Sequence, residues 1–282
     1  MSTERTRHPQ PGRHSGRSSR GLRGLLPLVL ACCALSGCAN FWDDVTSREF
    51  HFKDRFKRQP DPLWVIQNSP DGDQRERALR KLREPSQHGG SPQDQETVVQ
   101  MLMWRAEHDP QPLCRLAAIQ TLRDFRDPRV VQGLTRAYFA PFPNFNPETV
   151  TVIRCAALEA LGATGNPEAI NHLVLVLRQP RSEDNNVSKR QTMDERITAA
   201  RALGHFKKPQ ATDALVGVLR GERDIALRDR AAESLQGITN KELPPDAQQW
   251  SDFLQTPAGK EAIVSQPTFT DKAIRLISFS KP

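Results

Sequence analysis

Five times along the 282-residue chain the same eight-residue pattern returns: Arg, two residues, Ala, three residues, Leu. The copies begin at Arg75 (RERALRKL), Arg115 (RLAAIQTL), Arg154 (RCAALEAL), Arg196 (RITAARAL) and Arg228 (RDRAAESL), at intervals of 40, 39, 42 and 32 residues. Within each copy a further apolar or Ala residue follows the first Ala, so positions 0, 3, 4 and 7 share one face of a helix of 3.6 residues per turn. Ala78, Ala118, Ala157, Ala199 and Ala231 are small, which lets a neighbouring helix approach closely. A period near 40 residues predicts stacked units that cannot bury their apolar faces alone and so must pack on one another.

The stretches after the copies also repeat. Asp127-Pro128, Asn166-Pro167 and Lys208-Pro209 each fall five and six residues beyond the repeat Leu. Proline suits the first turn of a helix, where its missing N–H has no partner to lose. Gly162 and Gly204 directly follow the repeat Leu and are expected to end the helix there. Apolar runs then resume (VVQGLTRAYF, AINHLVLVL, ATDALVGVL), so each unit reads as a helix pair with a stop near Gly and a restart at Pro.

Helix pairs of this length resemble HEAT repeats, especially the short subclass named for phycobilisome lyases. The resemblance covers roughly residues 61–255 and is closest over DERITAARALGHFKKPQATDALVGVLRGERDIALRDRAAESLQGIT, from Asp194 to Thr239. It implies an all-α fold, an α-solenoid of about five HEAT-like helix pairs. PPDAQQWSDFL, 244–254, reads as a closing helix, and residues 256–282 as a C-terminal tail that adds a short strand or stays irregular. Two polar stretches, 86–95 and 181–194, are expected as loops, the second accounting for the 42-residue interval. FAPFPNFNPE differs: Phe139, Phe142 and Phe145 alternate with prolines that prevent a regular helix. These three rings form a candidate partner-binding edge, or else a plug folded back on the solenoid. Each repeat arginine is expected to pair with a nearby acid, such as Glu148 or Asp224, and to fix its own helix pair.

The first 37 residues differ from the rest. Six arginines face one acid, Glu4, and are followed by LLPLVLACCAL, 11 residues without a charge. That run is too short for a transmembrane helix, which needs roughly 20 apolar residues, but it has the order of a secretory signal. It closes on Leu35-Ser36-Gly37-Cys38, which resembles the lipobox of bacterial lipoproteins. The resemblance implies cleavage between Gly37 and Cys38 and lipidation of the Cys38 thiol. It places the mature chain at the cell envelope facing the periplasm, and Ala39 leans toward the outer membrane. Residues 38–60 then form the anchor cysteine and an aromatic, basic connector to the repeats. The whole chain carries 40 basic and 33 acidic residues, but residues 1–37 hold 6 and 1 of these, leaving the remainder at +2. The basic excess belongs to the leader, so charge offers little support for nucleic-acid binding. Two cysteines remain beyond the anchor, Cys114 and Cys155, and export would place them where a disulfide is chemically permitted.

No catalytic constellation stands out. There is no Cys-x-x-Cys, Gly-x-Ser-x-Gly, HExxH or phosphate-binding glycine loop, and no His is followed by Glu. The expectation is a chain without catalytic residues, metal or cofactor, acting as a scaffold for an unidentified protein partner. The alternatives are a structural or assembly factor with transient partners, or a lyase-like or metal-dependent enzyme subunit.

Overall fold

The computed structural model describes residues 61–180 and 186–263, all within a unit that begins at Pro60. The expected signal segment 1–37, the expected anchor Cys38, the connector to residue 60 and the tail beyond 263 lie outside the described residues.

Among the described residues there are twelve α-helices and no strand. They are α1 (Pro62–Asn68), α2 (Gly72–Lys81), α3 (Pro92–His108), α4 (Pro112–Arg123), α5 (Arg129–Phe139) and α6 (Pro147–Ala163). Then come α7 (Glu168–Leu177), α8 (Asn186–Leu203), α9 (Pro209–Gly221), α10 (Ile225–Thr239), α11 (Ala247–Gln255) and α12 (Pro257–Ile263). The repeat arginines sit on α2, α4, α6, α8 and α10, and each of these helices packs on the next in the series. The helices between them form a second ladder, α3 on α5, then α7, α9 and α11. The ladders join most closely where α1 meets α2, α3 meets α4, α5 meets α6, α7 meets α8 and α9 meets α10. Counted from each arginine-bearing helix onward, this α-solenoid has five helix pairs among the described residues, α2/α3 through α10/α11, with α1 ahead and α12 behind.

The repeat pattern explains this packing. All five repeat alanines and all five repeat leucines are buried, at 8% exposure or less. All ten belong to a single core cluster that runs from Val65 to Trp250. Local signals set the helix starts. Ser91 and Asp94 form a reciprocal capping box at the head of α3. Asp127 Oδ1 accepts from Arg129 N, and Asn166 Oδ1 from Glu168 N, both at 3.0 Å. The recurrent Asp/Asn-Pro pairs are therefore capping residues with a proline that pre-sets the backbone behind them.

Several expectations are corrected. Gly162 does not end its helix; it lies inside α6. A Cβ there would stand 2.8 Å from Ala202 Cβ and 2.9 Å from Ala202 Cα, so the residue is small because α6 and α8 touch backbone to backbone. The turn that needs glycine comes later, at Gly165, with φ of 64°. Residues 186–194, expected in a loop, form the first turns of α8; Met193 and Ile197 pack on the core and stabilise them. The 86–95 loop is shorter than expected, since α3 begins at Pro92 after a 3₁₀ turn at Pro85–Gln87. The tail opens as the helix α12, and the stretch expected to add a short strand or stay irregular lies beyond residue 263, outside the described residues. Trp250, fully buried on α11 with its Nε1 donating to Pro244 O at 3.0 Å, closes the stack.

Candidate functional site

The two edges of the solenoid are chemically different. One carries the linkers within each pair. The other carries the linkers between pairs: 69–71, 109–111, 140–146, 222–224 and the described start of a further one, 178–180. The repeat arginines gather at this second edge.

Arg75, only 5% exposed, shows the full arrangement. Its Nη1 donates to Ser69 O and Pro70 O, both at 3.0 Å, in the linker that enters its pair. Its Nε and Nη2 grip the two carboxylate oxygens of Asp109, at 3.2 and 3.0 Å, in the linker that leaves it. Asp109 also accepts from Arg105 Nη1 and Gln111 N. Arg115 repeats the scheme with carbonyls alone: Nε to Asp109 O at 2.8 Å and Nη1 to Pro141 O at 3.2 Å. Burial pulls its guanidinium below the usual arginine value. Arg196 donates from Nε to Leu177 O at 3.1 Å and pairs with Glu222. These three arginines thus tie the chain at one between-pair linker to the next. In the last pair, linker 240–246 brings Pro245 O back to Arg228 Nη2 at 2.7 Å. The acids that meet these arginines are Asp109, Glu195 and Glu222; Asp224 instead caps α10 through Leu227 N.

The aromatic loop divides. Phe142 and Phe145 are partly buried against the core, with the Arg115 guanidinium 4.8 and 4.9 Å from their ring centres. They cover a buried cation, so the three-ring edge reduces to one ring. Phe139 remains, 54% exposed, edge-on to Tyr138 at 4.7 Å.

Arg154 departs from the pattern. Its side chain is 36% exposed, its Nη1 reaches Glu195 only at 3.4 Å, and its buried Nε has no hydrogen-bond partner. Glu195 is buried and receives a 2.5 Å hydrogen bond from Tyr138, whose hydroxyl burial holds far above the usual tyrosine value.

The position of the arginine within its helix also shifts. It is the fourth residue of α2, α4 and α10, the eighth of α6 and the eleventh of α8. α6 and α8 therefore project one and two extra turns past this edge. Two open cavities lie beside these projections. One, of about 290 Å³, is lined by Tyr138, Phe139, Arg154, Gln179, Thr192 and Glu195 among others. The other, of about 470 Å³ between α6 and α8, is lined by Val152, Cys155, Val187 and Ile197 with charged neighbours.

The exposed apolar residues follow the same edge. Trp64, Trp104, Leu113, Phe139, Val152, Leu175, Val187 and Ile225 are the large exposed hydrophobics among the described residues. Seven of the eight lie nearer the between-pair end of their helix than the within-pair end; Trp64, the third residue of α1, lies toward the other end of its short helix. Sequence reasoning found Phe139 and missed the other seven, which look like ordinary helix-face residues until the edge is assembled.

Cys114 and Cys155 are unpaired, and burial pushes both thiols up to about 11. Among the described residues no three His, Cys, Asp or Glu side chains gather as a metal site would require, and no helix is long and apolar enough to cross a membrane.

Two ladders of paired helices, with a repeated small-residue seam, make this a helical-repeat solenoid of HEAT-like type. The family model described as PBS lyase HEAT-like repeat matches residues 153–179 and 195–221. Those segments are α6 with α7 and α8 with α9, each counted from its arginine-bearing helix onward. No curated protein matches the chain.

Proposed function

We propose that this chain is an envelope-anchored lipoprotein, tethered through lipid on Cys38, whose HEAT-like solenoid holds a protein partner without catalysing a reaction. The observation that carries the binding role is the one-sided placement of the exposed apolar side chains. Soluble surfaces scatter such residues singly, whereas a row along one edge marks an interaction surface. A solenoid suits this work because its stacked units hold an extended edge rigid. The anchor rests on the Leu35–Cys38 sequence and on the order of charges and apolar residues before it. One acyl chain binds a membrane marginally, and two or more bind it stably.

Two experiments test the two halves. Cross-linking in intact cells, with mass spectrometry of the captured complexes, should place one partner repeatedly on Trp104, Phe139, Val152 and their neighbours. Links scattered over both edges, or none, would favour an assembly factor with transient contacts. Cys38→Ser should release the chain from the membrane fraction after a high-salt wash; continued retention would refute the lipid anchor.

A further inference from the structure

The linker 82–91 is the longest of the within-pair linkers among the described residues; the others are 124–128, 164–167, 204–208 and 240–246. Beside it, at the C-terminal ends of α2 and α4, an open cavity of about 630 Å³ is lined by the apolar Leu82 and Phe125 and by three arginines, Arg80, Arg83 and Arg123. That volume falls in the range of about 300–1,000 Å³ usual for small-ligand pockets. All three guanidiniums reach solvent: the side chains of Arg80 and Arg123 are each 49% exposed, and Arg83 is exposed. Each also keeps donors free among the described residues. Arg83 uses only Nη1, on the carbonyls of Arg80 and Leu82 at 3.3 Å, leaving Nε and Nη2. Arg80 binds Glu76 through Nε and Gln120 through Nη1, leaving Nη2. Arg123 binds Asp124 through Nε, leaving both Nη groups. The acceptors nearby are occupied. Glu84 is buried, and its two carboxylate oxygens accept from Gln95 Nε2 and Arg126 N at 3.1 and 2.9 Å. The carbonyls that end α2 and α4, whose partial charge would repel an anion, also have donors: Leu79 O takes Thr121 Oγ1 and Leu82 N, and Leu122 O takes Phe125 N.

We propose that this cavity binds a phosphomonoester group, the doubly charged phosphate of a soluble sugar phosphate or of a lipid headgroup. Its free guanidinium donors come from three places in the chain: the end of α2, the linker behind it and the end of α4. A carboxylate is flat and is satisfied by one guanidinium fork, as Asp109 is by Arg75. A phosphate is tetrahedral and presents three acceptor oxygens in diverging directions, so it suits several guanidiniums placed around one space. Arg83 takes it in the two-bond fork of Nε and Nη2, and Arg80 and Arg123 supply the remaining positive charge. Leu82 and Phe125 leave apolar wall for the rest of the molecule. The cavity lies at the within-pair edge, so the inference goes beyond the partner-holding reading and does not depend on it.

The test is a titration of the full chain, following the backbone amides of Arg83, Gln87 and Arg123 by nuclear magnetic resonance. The probes are glycerol 3-phosphate, glycerol, sodium acetate, and vesicles of phosphatidylcholine with or without phosphatidic acid. Glycerol 3-phosphate should shift these signals saturably at millimolar concentration or below, glycerol should not, and acetate should bind at least tenfold more weakly. Arg83→Gln should weaken glycerol 3-phosphate at least tenfold, whereas Arg136→Gln, the same change of charge on α5, should leave it within about twofold. Arg83 makes only two long bonds to neighbouring carbonyls, so its variant should keep the wild-type melting temperature. Capture by vesicles that needs phosphatidic acid, falls in Arg83→Gln and is displaced by glycerol 3-phosphate identifies a headgroup as the source. Binding of glycerol 3-phosphate with no such capture identifies a soluble one. Equal affinities for acetate and glycerol 3-phosphate, equal losses in Arg83→Gln and Arg136→Gln, or no saturable shift at millimolar concentration would overturn the proposal and leave only diffuse surface charge. None of these outcomes bears on cross-links to a partner at the between-pair edge, so the two readings fail separately.

Discussion

Asp109→Ala should unfold the first pairs of the solenoid before the last ones. The Asp109 side chain has no solvent exposure and that of Arg75 is 7% exposed, so this is a buried ion pair held by two hydrogen bonds. Removing one member of such a pair strands the other without water and costs about 3–5 kcal/mol. Arg105, at 14% exposure, loses its carboxylate too, and the Gln111 N–H loses an acceptor. At about 2–4 °C per kcal/mol for a domain of about 150–250 residues, the melting temperature should drop by roughly 6–20 °C. Hydrogen exchange should localise the damage. Amides of α2 to α4 should exchange faster, and those of α9 to α11 should barely change, because a solenoid passes strain mainly to its neighbours. The pH dependence follows from the same site. Burial would raise the Asp109 carboxyl, but the Arg75 hydrogen bonds, the Gln111 N–H and the two arginine charges outweigh it and hold the carboxyl below its usual value. A lowered folded-state value means the pair's contribution is full above the unfolded value and is lost as the pH falls through the folded one. Stability curves of wild type and variant should therefore converge as the pH drops below about 4. A melting temperature within about 2 °C of wild type, with unchanged exchange in α2 to α4, would refute the claim that these arginines bind successive linkers together.

Three further outcomes are expected. Gly162→Ala should cost about 1–3 kcal/mol by pushing α6 away from α8, and Ala202→Gly should restore part of that loss; equilibrium denaturation of the single and double variants measures it. Trp250→Ala should cost about 3–5 kcal/mol and open the end of the stack, with proteolysis appearing first between residues 240 and 256. Alkylation of Cys114 and Cys155 by iodoacetamide should be slow at pH 7.5 and accelerate toward pH 11, because the thiolate reacts and both thiols are held high by burial; rapid labelling at neutral pH would contradict that placement.

The ladders were legible in the sequence because packing dictates them locally. Ala and Leu at fixed offsets from Arg must lie on one helix face, and the seam where α6 meets α8 requires small residues. The arginines were legible as structural, but their partners were not. Asp109 is 34 residues from Arg75, and several other partners are backbone carbonyls, which no side chain announces. Gly162 looked like a helix end because its role depends on Ala202 in another pair. Residues 186–194 looked like a loop because their polar character hides the single apolar face that Met193 and Ile197 begin, four residues apart. Phe142 and Phe145 looked like presented rings because the cation they cover, Arg115, lies on a different helix.

The placement of the arginine as fourth, eighth and eleventh residue of its helix has a further consequence. The steps of four and three are each close to one turn, so the seam keeps its rotational phase while the helix grows outward. Insertions of three or four residues ahead of the arginine are thus nearly silent to the core, whereas one or two would swing Ala and Leu about 100° or 200° away from it. Evolution is given a dial with clicks: the rim of this stack can lengthen or shorten by whole turns, reshaping that edge, while the folded body beneath keeps the same alignment.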